Sequence, residues 1–248
     1  MPIKLFRFMI VLLVTVVVFG RMCIAGTWID DFSDRTLRDW GGGRRNHEFS
    51  TGVVGGHFYY RGIVEQAFCH MENRGLGKIQ DFSLQLKFMV RNLRDLRQGF
   101  LTIDYSSFNE ETWNTDGIMQ FSWYPQGEPK INIMDVTIDC FEQEGDAFFP
   151  QTAAIDSFAF EEKVWYTLRI AREGNQYTFS MGDVILFAED DSVSMGTIDL
   201  LFFGRCTVWL DDFIVTGPDV PNGGPGFLGV NPLAEHVTTM WGKLKAQY

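Results

Sequence analysis

The chain has little cysteine, little histidine and a shortage of positive charge. Four cysteines and four histidines occur among 248 residues. No two cysteines form a CxxC pair, and His47, His57, His70 and His236 show no ligand spacing. The usual zinc frameworks are therefore excluded. Lysine and arginine number 21 against 32 aspartates and glutamates. An acidic surface repels phosphate backbones, which argues against nucleic acid as a partner. No nucleophile elbow, HExxH helix or phosphate-binding loop is present. Beyond the first 25 residues no apolar run approaches the ~20 residues of a spanning helix.

What is there begins with an export signal. Lys4 and Arg7 precede the apolar run from Phe8 to Phe19, and Cys23-Ile24-Ala25 puts small residues at the −3 and −1 positions. This layout predicts a signal peptide over 1–25, cleaved after Ala25. The alternative, a membrane anchor, needs a longer apolar run. Removing 25 of the 248 residues leaves 223, a length that suits one all-β domain. Removal takes away Lys4, Arg7 and Arg21 and no acid, so 18 basic residues face 32 acidic ones and the net charge is −14. The mature chain is expected outside the cytoplasm, secreted or periplasmic, with no membrane span. The signal and the few cysteines suit a bacterium. Cys69, Cys140 and Cys206 remain, an odd number that permits one disulfide at most. Some of them are read as small buried apolar side chains, in preference to a disulfide.

The body reads as short strands separated by turn residues. Asp81 to Val90 alternates, with Phe82, Leu84, Leu86 and Phe88 on one face and Ser83, Gln85 and Lys87 on the other. Further strands are predicted at Trp28 to Phe32, Glu48 to Val54, His57 to Tyr60 and Gly99 to Tyr105. They continue at Gly117 to Tyr124, Lys130 to Ile138, Trp165 to Arg172, Gln176 to Met181, Val184 to Ala188, Thr197 to Gly204 and Thr207 to Thr216. Gly55-Gly56 is a hairpin turn and Gly41-Gly42-Gly43 a flexible one. The pattern predicts an antiparallel β-sandwich or jelly roll over 26–216, with an up-and-down barrel as the alternative. Residues 217–232, rich in glycine and proline, are predicted to be a linker. Leu233, Val237, Met240, Trp241 and Leu244 then fall on one side of a predicted short C-terminal helix, 233–248. That helix would pack on its own domain or dock on a partner protein, since so short a helix is marginal alone in water.

Five segments carry short motifs: the opening Asp30-Asp31-Phe32-Ser33 with Leu37 and Trp40, then Val53 to Phe58, Phe82 to Val90, Trp165 to Leu168 with Gly174, Asn175 and Tyr177, and Val208 to Val215. In order and spacing they resemble the start, the following hairpin, a central strand, a later hairpin and the closing strand of the concanavalin A-like lectin/glucanase superfamily, in its laminin-G-like branch. The start is also similar to the 3-keto-disaccharide hydrolase domain family. The resemblance implies two curved antiparallel sheets, neighbouring first and last strands, and a glycan or glycosylated surface as partner.

It also implies a structural calcium near the paired strand ends. Two acidic pairs, Asp30-Asp31 and Asp211-Asp212, supply the hard oxygen ligands such an ion takes. Asp211 or Asp212 would point inward according to which residues of the last strand face the core. For sugar binding the candidates are Trp113, Trp123, Tyr124 and Asn114 on loops and strand ends, and Trp40 beside a glycine-rich turn. An aromatic plane grips the apolar face of a sugar ring, although most tryptophans in a sandwich are core. Trp165 and Trp209 are assigned to the core or a sheet face. The E-x-D-x-x-E pattern of the glucanase branch is absent, and Glu142, Glu144 and Asp146 come nearest to it. The expected function is a secreted carbohydrate-binding module, lectin-like or laminin-G-like. The alternative is a sugar hydrolase of the 3-keto-disaccharide or glycoside type.

Overall fold

The computed structural model describes residues 25–42, 47–92, 100–109, 114–124, 130–139, 147–158 and 161–227. The predicted signal peptide, apart from Ala25, and the predicted C-terminal helix lie outside them. So do Trp113, Glu142, Glu144 and Asp146.

The described residues form strands and turns, with no helix. The first strands are β1 (Gly26–Asp30), β2 (Trp40–Gly42), β3 (Phe49–Val54), β4 (His57–Gly62), β5 (Phe68–Asn73) and β6 (Phe82–Arg91). Then come β7 (Leu101–Asn109), β8 (Asn114–Tyr124), β9 (Lys130–Asp139) and β10 (Ala147–Ser157). The last are β11 (Tyr166–Glu173), β12 (Gln176–Met181), β13 (Val184–Glu189), β14 (Thr197–Phe203) and β15 (Thr207–Gly217). They make two antiparallel sheets. The first has the order β13-β12-β11-β6-β15-β4-β3, with β1 also paired to β15. The second has the order β10-β9-β8-β7-β14-β5-β2.

Alternation builds the sandwich. Phe82, Leu84, Leu86 and Phe88 of β6 are all buried, while Ser83, Gln85 and Lys87 face outward. Side chains of the second sheet meet them: Leu101, Ile103 and Tyr105 of β7 and Ile198, Leu200 and Phe202 of β14. Aromatic rings stitch the two layers, with Phe58 and Phe202 centroids 5.4 Å apart and Phe82 and Tyr105 5.0 Å apart. Burying such a ring contributes roughly 1.5–3 kcal/mol. At one end the buried Arg172 of β11 lies over the Tyr105 and Tyr177 rings and donates to Tyr105 Oη and to the carbonyls of Gln80, Val193 and Ser194.

Three strands escape the sequence pattern. Gly41 and Gly42 belong to β2, not to a flexible turn. β5 alternates Cys69, Met71 and Asn73 inward, a set with little β propensity. β10 carries Pro150 within its run, and proline argues against a strand. Of the stretch predicted as a linker, residues 217–227 are described: Gly223 exchanges hydrogen bonds with Thr27 and Ile29, and Gly226 donates to the Ile29 carbonyl, so this part lies along β1. Cys69 and Cys206 are buried and not joined to each other, and burial pushes the Cys206 thiol up to about 12.

The closing strand carries a β-bulge. Leu210 and Phe213 are both buried although three positions apart, because the register shifts between Asp211 and Ile214 and Asp212 takes φ 48°. A bulge adds one residue and resets the alternation. Asp211 and Asp212 therefore both lie among the half-buried residues of the outer side, and neither enters the core.

Candidate functional site

The two predicted acidic pairs do not converge. Trp28 and Asp30 face inward on β1, and Asp30 is fully buried. Its Oδ1 accepts from the Phe32 N–H at 2.8 Å and its Oδ2 from Trp40 Nε1 at 2.8 Å. Burial raises this carboxyl to about 6, against the lowering effect of those two bonds. Asp30 thus brackets β1 of the first sheet to β2 of the second. Asp31 Oδ1 accepts from the Ser33 N–H. Asp211 Oδ2 lies 3.2 Å from His57 Nδ1, and Asp212 pairs with Lys87. Among the described residues no group of three or more His, Cys, Asp or Glu side chains gathers around one point. Both oxygens of Asp30 already accept hydrogen bonds, so the donor set does not fit a calcium ion, which takes six to eight oxygens.

Trp40 is core, not a ligand platform. It is 6% exposed, its indole N–H serves Asp30, and its ring packs edge-on against Trp28 and Phe213. The backbones of Asn114, Trp123 and Tyr124 lie on β8, but their side chains are outside the described set, as is the whole of Trp113. Trp209 stands on the outward face of the first sheet, its ring 5.7 Å from that of Tyr59. Trp165 is half-exposed beside His57, 5.3 Å between ring centroids.

The outward face of the second sheet brings together polar groups that strand patterns alone do not reveal. Antiparallel register sets Glu72 opposite Asp199, Asp199 opposite Asp104, and Asp104 opposite Gln120. One row of this face therefore reads Glu72–Asp199–Asp104–Gln120 across β5, β14, β7 and β8. The next row holds His70, Leu201, Thr102 and Ser122 in the same strands. Ser106 lies two positions beyond Asp104 on β7. All these residues point away from the apolar core by alternation. Even so, Asp104 is 8% exposed and Asp199 9%, and Thr102, Ser106 and Ser122 are buried too.

Charges on this face are coupled. His70 Nε2 lies 3.2 Å from Asp199 Oδ2, and the Asn73 N–H donates to Asp199 Oδ1 at 3.3 Å. The bond to Asp199 is the main reason that the His70 pKa is raised. Asp104 has no such cation at its side. Burial first, and then the charge of Asp199, pushes its carboxyl up to about 8, although His70 and a hydrogen bond to Gln120 act in the other direction. Its Oδ1 is buried without a hydrogen-bond partner. A carboxyl in that state holds its proton at neutral pH. At the open edge, Arg74 Nε meets Glu72 Oε2 at 2.9 Å. Gly41 makes room for it, since a Cβ there would come within 2.5 Å of Arg74 Nε.

Sequence reasoning missed Asp104 and Asp199. Each is an acid inside an apolar run, Ile103-Asp104-Tyr105 and Ile198-Asp199-Leu200. That position was the available signal. Only the pairing of β7 with β14 turns it into a site.

No protein-family model matches the chain, and no curated protein matches it in sequence. Solved structures do match in fold. A Bacillus subtilis protein of unknown function with a galectin-like fold aligns at TM-score 0.56 and 11% identity, covering 79% of this chain and 96% of its own. The winged bean acidic lectin complexed with methyl-α-D-galactose aligns at TM-score 0.53 and 11% identity, covering 77% of this chain and 98% of its own. The κ-carrageenase of Pseudoalteromonas carrageenovora, complexed with a κ-carrageenan oligotetrasaccharide, aligns at 0.51 and 9% identity, covering 77% and 94%. Two antiparallel sheets, neighbouring first and last strands and these likenesses establish the concanavalin A-like jelly-roll fold expected from the sequence.

Proposed function

Starting from a concanavalin A-like fold, we propose that the chain is an exported glycan-binding module that holds its sugar on the outward face of the second sheet. The row Glu72–Asp199–Asp104–Gln120 carries this reading. A sugar ring offers many hydroxyls, each both donor and acceptor, and needs complementary groups in fixed positions. Strand register fixes them here, and Thr102, Ser106 and Ser122 add hydroxyls in the flanking rows. The unpartnered Asp104 Oδ1 asks for a donor that the protein does not supply. Leaving it unmet costs roughly 1–3 kcal/mol, a sign that this row is kept for something other than stability. A lectin and a glycosidase, each complexed with sugar, share the fold. Fold alone does not fix function, so the weight rests on the row of side chains.

The face carries little net charge, because Glu72 and Asp199 have Arg74 and His70 beside them and Asp104 is raised to about 8, so neutral sugars suit it better than uronic or sulfated ones. The test is a glycan screen of the mature chain, with neutral and anionic glycans in parallel. Binding to a neutral class, weakened in Glu72→Ala and Gln120→Ala, supports the reading. Binding to no class, or binding that both variants retain in full, ends it.

A further inference from the structure

We propose that the sugar held on this face carries an apolar aglycone, an alkyl or aryl group, and that Phe68, Leu201 and Phe203 receive it. The inference rests on the binding reading above and specifies its ligand.

Alternation puts Phe68, His70 and Glu72 of β5 on the outward face, since Cys69, Met71 and Asn73 are buried. On β14 the same face holds Asp199, Leu201 and Phe203, because Ile198, Leu200 and Phe202 fill the core. Register joins the two strands in rows: Glu72 opposite Asp199, His70 opposite Leu201, and Phe68 opposite Phe203. Along β5 and β14 the face therefore passes from two acids, through an imidazole and a leucine, to two phenyl rings. The change takes four residues, or about 13 Å of strand.

The rings of the last row are in contact, with centroids 5.2 Å apart and planes 43° from parallel. Phe68 is 45% exposed, and Leu201 and Phe203 are half-buried beside it. An exposed apolar side chain is ordinary when it stands singly. Phe68 differs because its ring meets a second phenyl and the pair continues rows of polar groups on the same face. His70 marks the border: its side chain is 50% exposed and its Nε2 lies 3.2 Å from Asp199 Oδ2.

The chemistry of the pair selects an aglycone over a second sugar. A sugar ring has hydroxyls around its rim, and tyrosine or tryptophan can answer them with a polar tip. Phenylalanine has none. The two rings are also tilted, so they offer no single plane to the face of a sugar. An alkyl or aryl group that leaves the sugar along the strands buries apolar surface there and asks for no hydrogen bond.

The test takes the neutral sugar selected by the glycan screen and compares its methyl glycoside, its octyl glycoside below the micelle concentration, and an oligosaccharide that ends in it. Affinities are measured by calorimetry on wild type, Phe68→Ala and, as a control on the first sheet, Phe187→Ala. The octyl glycoside is expected to bind at least about tenfold more tightly than the methyl glycoside, the gain that burying roughly two methylene groups supplies. Phe68→Ala should remove most of that gain and leave the methyl glycoside unchanged, whereas Phe187→Ala should alter neither. Phe68→Leu keeps apolar bulk and should retain most of the gain. Melting curves check the fold, and Phe68→Gln replaces the alanine variant if that one does not fold. If methyl and octyl glycosides bind equally, or Phe187→Ala removes the gain, the aglycone site is refuted and the binding reading stands. If the oligosaccharide gains instead, and Phe68→Ala abolishes that gain, the phenyl pair holds sugar and the proposal is wrong. If no glycoside binds, both readings fall together.

Discussion

The two outward faces of the sandwich hold their most buried acids in different surroundings. On the first sheet Asp211 and Asp212 each have a partner on their own face, His57 and Lys87. On the second sheet Asp104 faces Asp199, a like charge, and keeps one oxygen unanswered. The first face also carries the Tyr59–Trp209 pair, its rings packed against each other over Gly52, where a Cβ would lie 3.1 Å from Tyr59. A face that compensates itself serves the fold. A face that leaves an acceptor buried and unpaired carries a cost that the fold alone does not explain.

Substitutions on the two faces should therefore separate binding from stability. The largest effect is expected on the second face. Glu72→Ala with Gln120→Ala should weaken the glycan by 10- to 100-fold, since hydrogen bonds to charged groups carry about 1.5–3 kcal/mol. The double variant should unfold within a degree or two of wild type. Titration calorimetry with parallel melting curves measures both. Next, Trp209→Ala on the first face should cost about 2 kcal/mol, the burial of part of a large ring, or roughly 4–8 °C in midpoint. Its glycan affinity should not change; a loss of affinity would move the site to the wrong face.

The pH dependence comes third. Asp104 is raised in the folded state to about 8, so between about pH 4 and 8 the folded chain holds a proton that the unfolded chain has released. Its contribution is therefore complete below pH 4 and lost as pH rises through 8, with a slope of up to about 1.4 kcal/mol per unit. Asp104→Asn should flatten that part of the stability curve. His70, raised by its bond to Asp199, contributes in the same direction and should leave a residual slope. Denaturant midpoints at four pH values decide it. Smallest is the calcium effect. With both Asp30 oxygens taken by protein donors, adding calcium or chelator should move the midpoint by less than about 1 °C. A rise that Asp211→Ala abolishes would mean that the acidic pairs hold a cation after all.

The legibility of the two faces differs as well. β6 is read directly because its inward residues are large and apolar at every second position. β5 is not, because Cys69, Met71 and Asn73 fill the same inward role. The fold is legible where hydrophobic alternation repeats, as in the closing strand, while the resemblance rests on short motifs such as Asp30-Asp31-Phe32 and Asp211-Asp212-Phe213. The parity of Asp211 and Asp212 was undecidable because a bulge, with Asp212 at φ 48°, sits between the two buried runs. Trp40 and Asp30 looked like surface chemistry, since a tryptophan near glycines and an acid near a turn usually are. Their hydrogen bond inside the core depends on β1 and β2 lying in different sheets. Asp104 and Asp199 were invisible as a pair for the same reason: cross-strand neighbours far apart in the chain meet only through topology.

The sealed thiols have a consequence of their own. Cys69 and Cys206 lie in the core, and Cys206 is far from ionising at ordinary pH. Alkylating reagents attack thiolates that solvent can reach. In a Cys140→Ser chain, the rate of label uptake therefore counts how often the sandwich opens as a whole. In an oxidising medium, where the proposed export would take the chain, unfolding would free these two sulfurs to join one molecule to another.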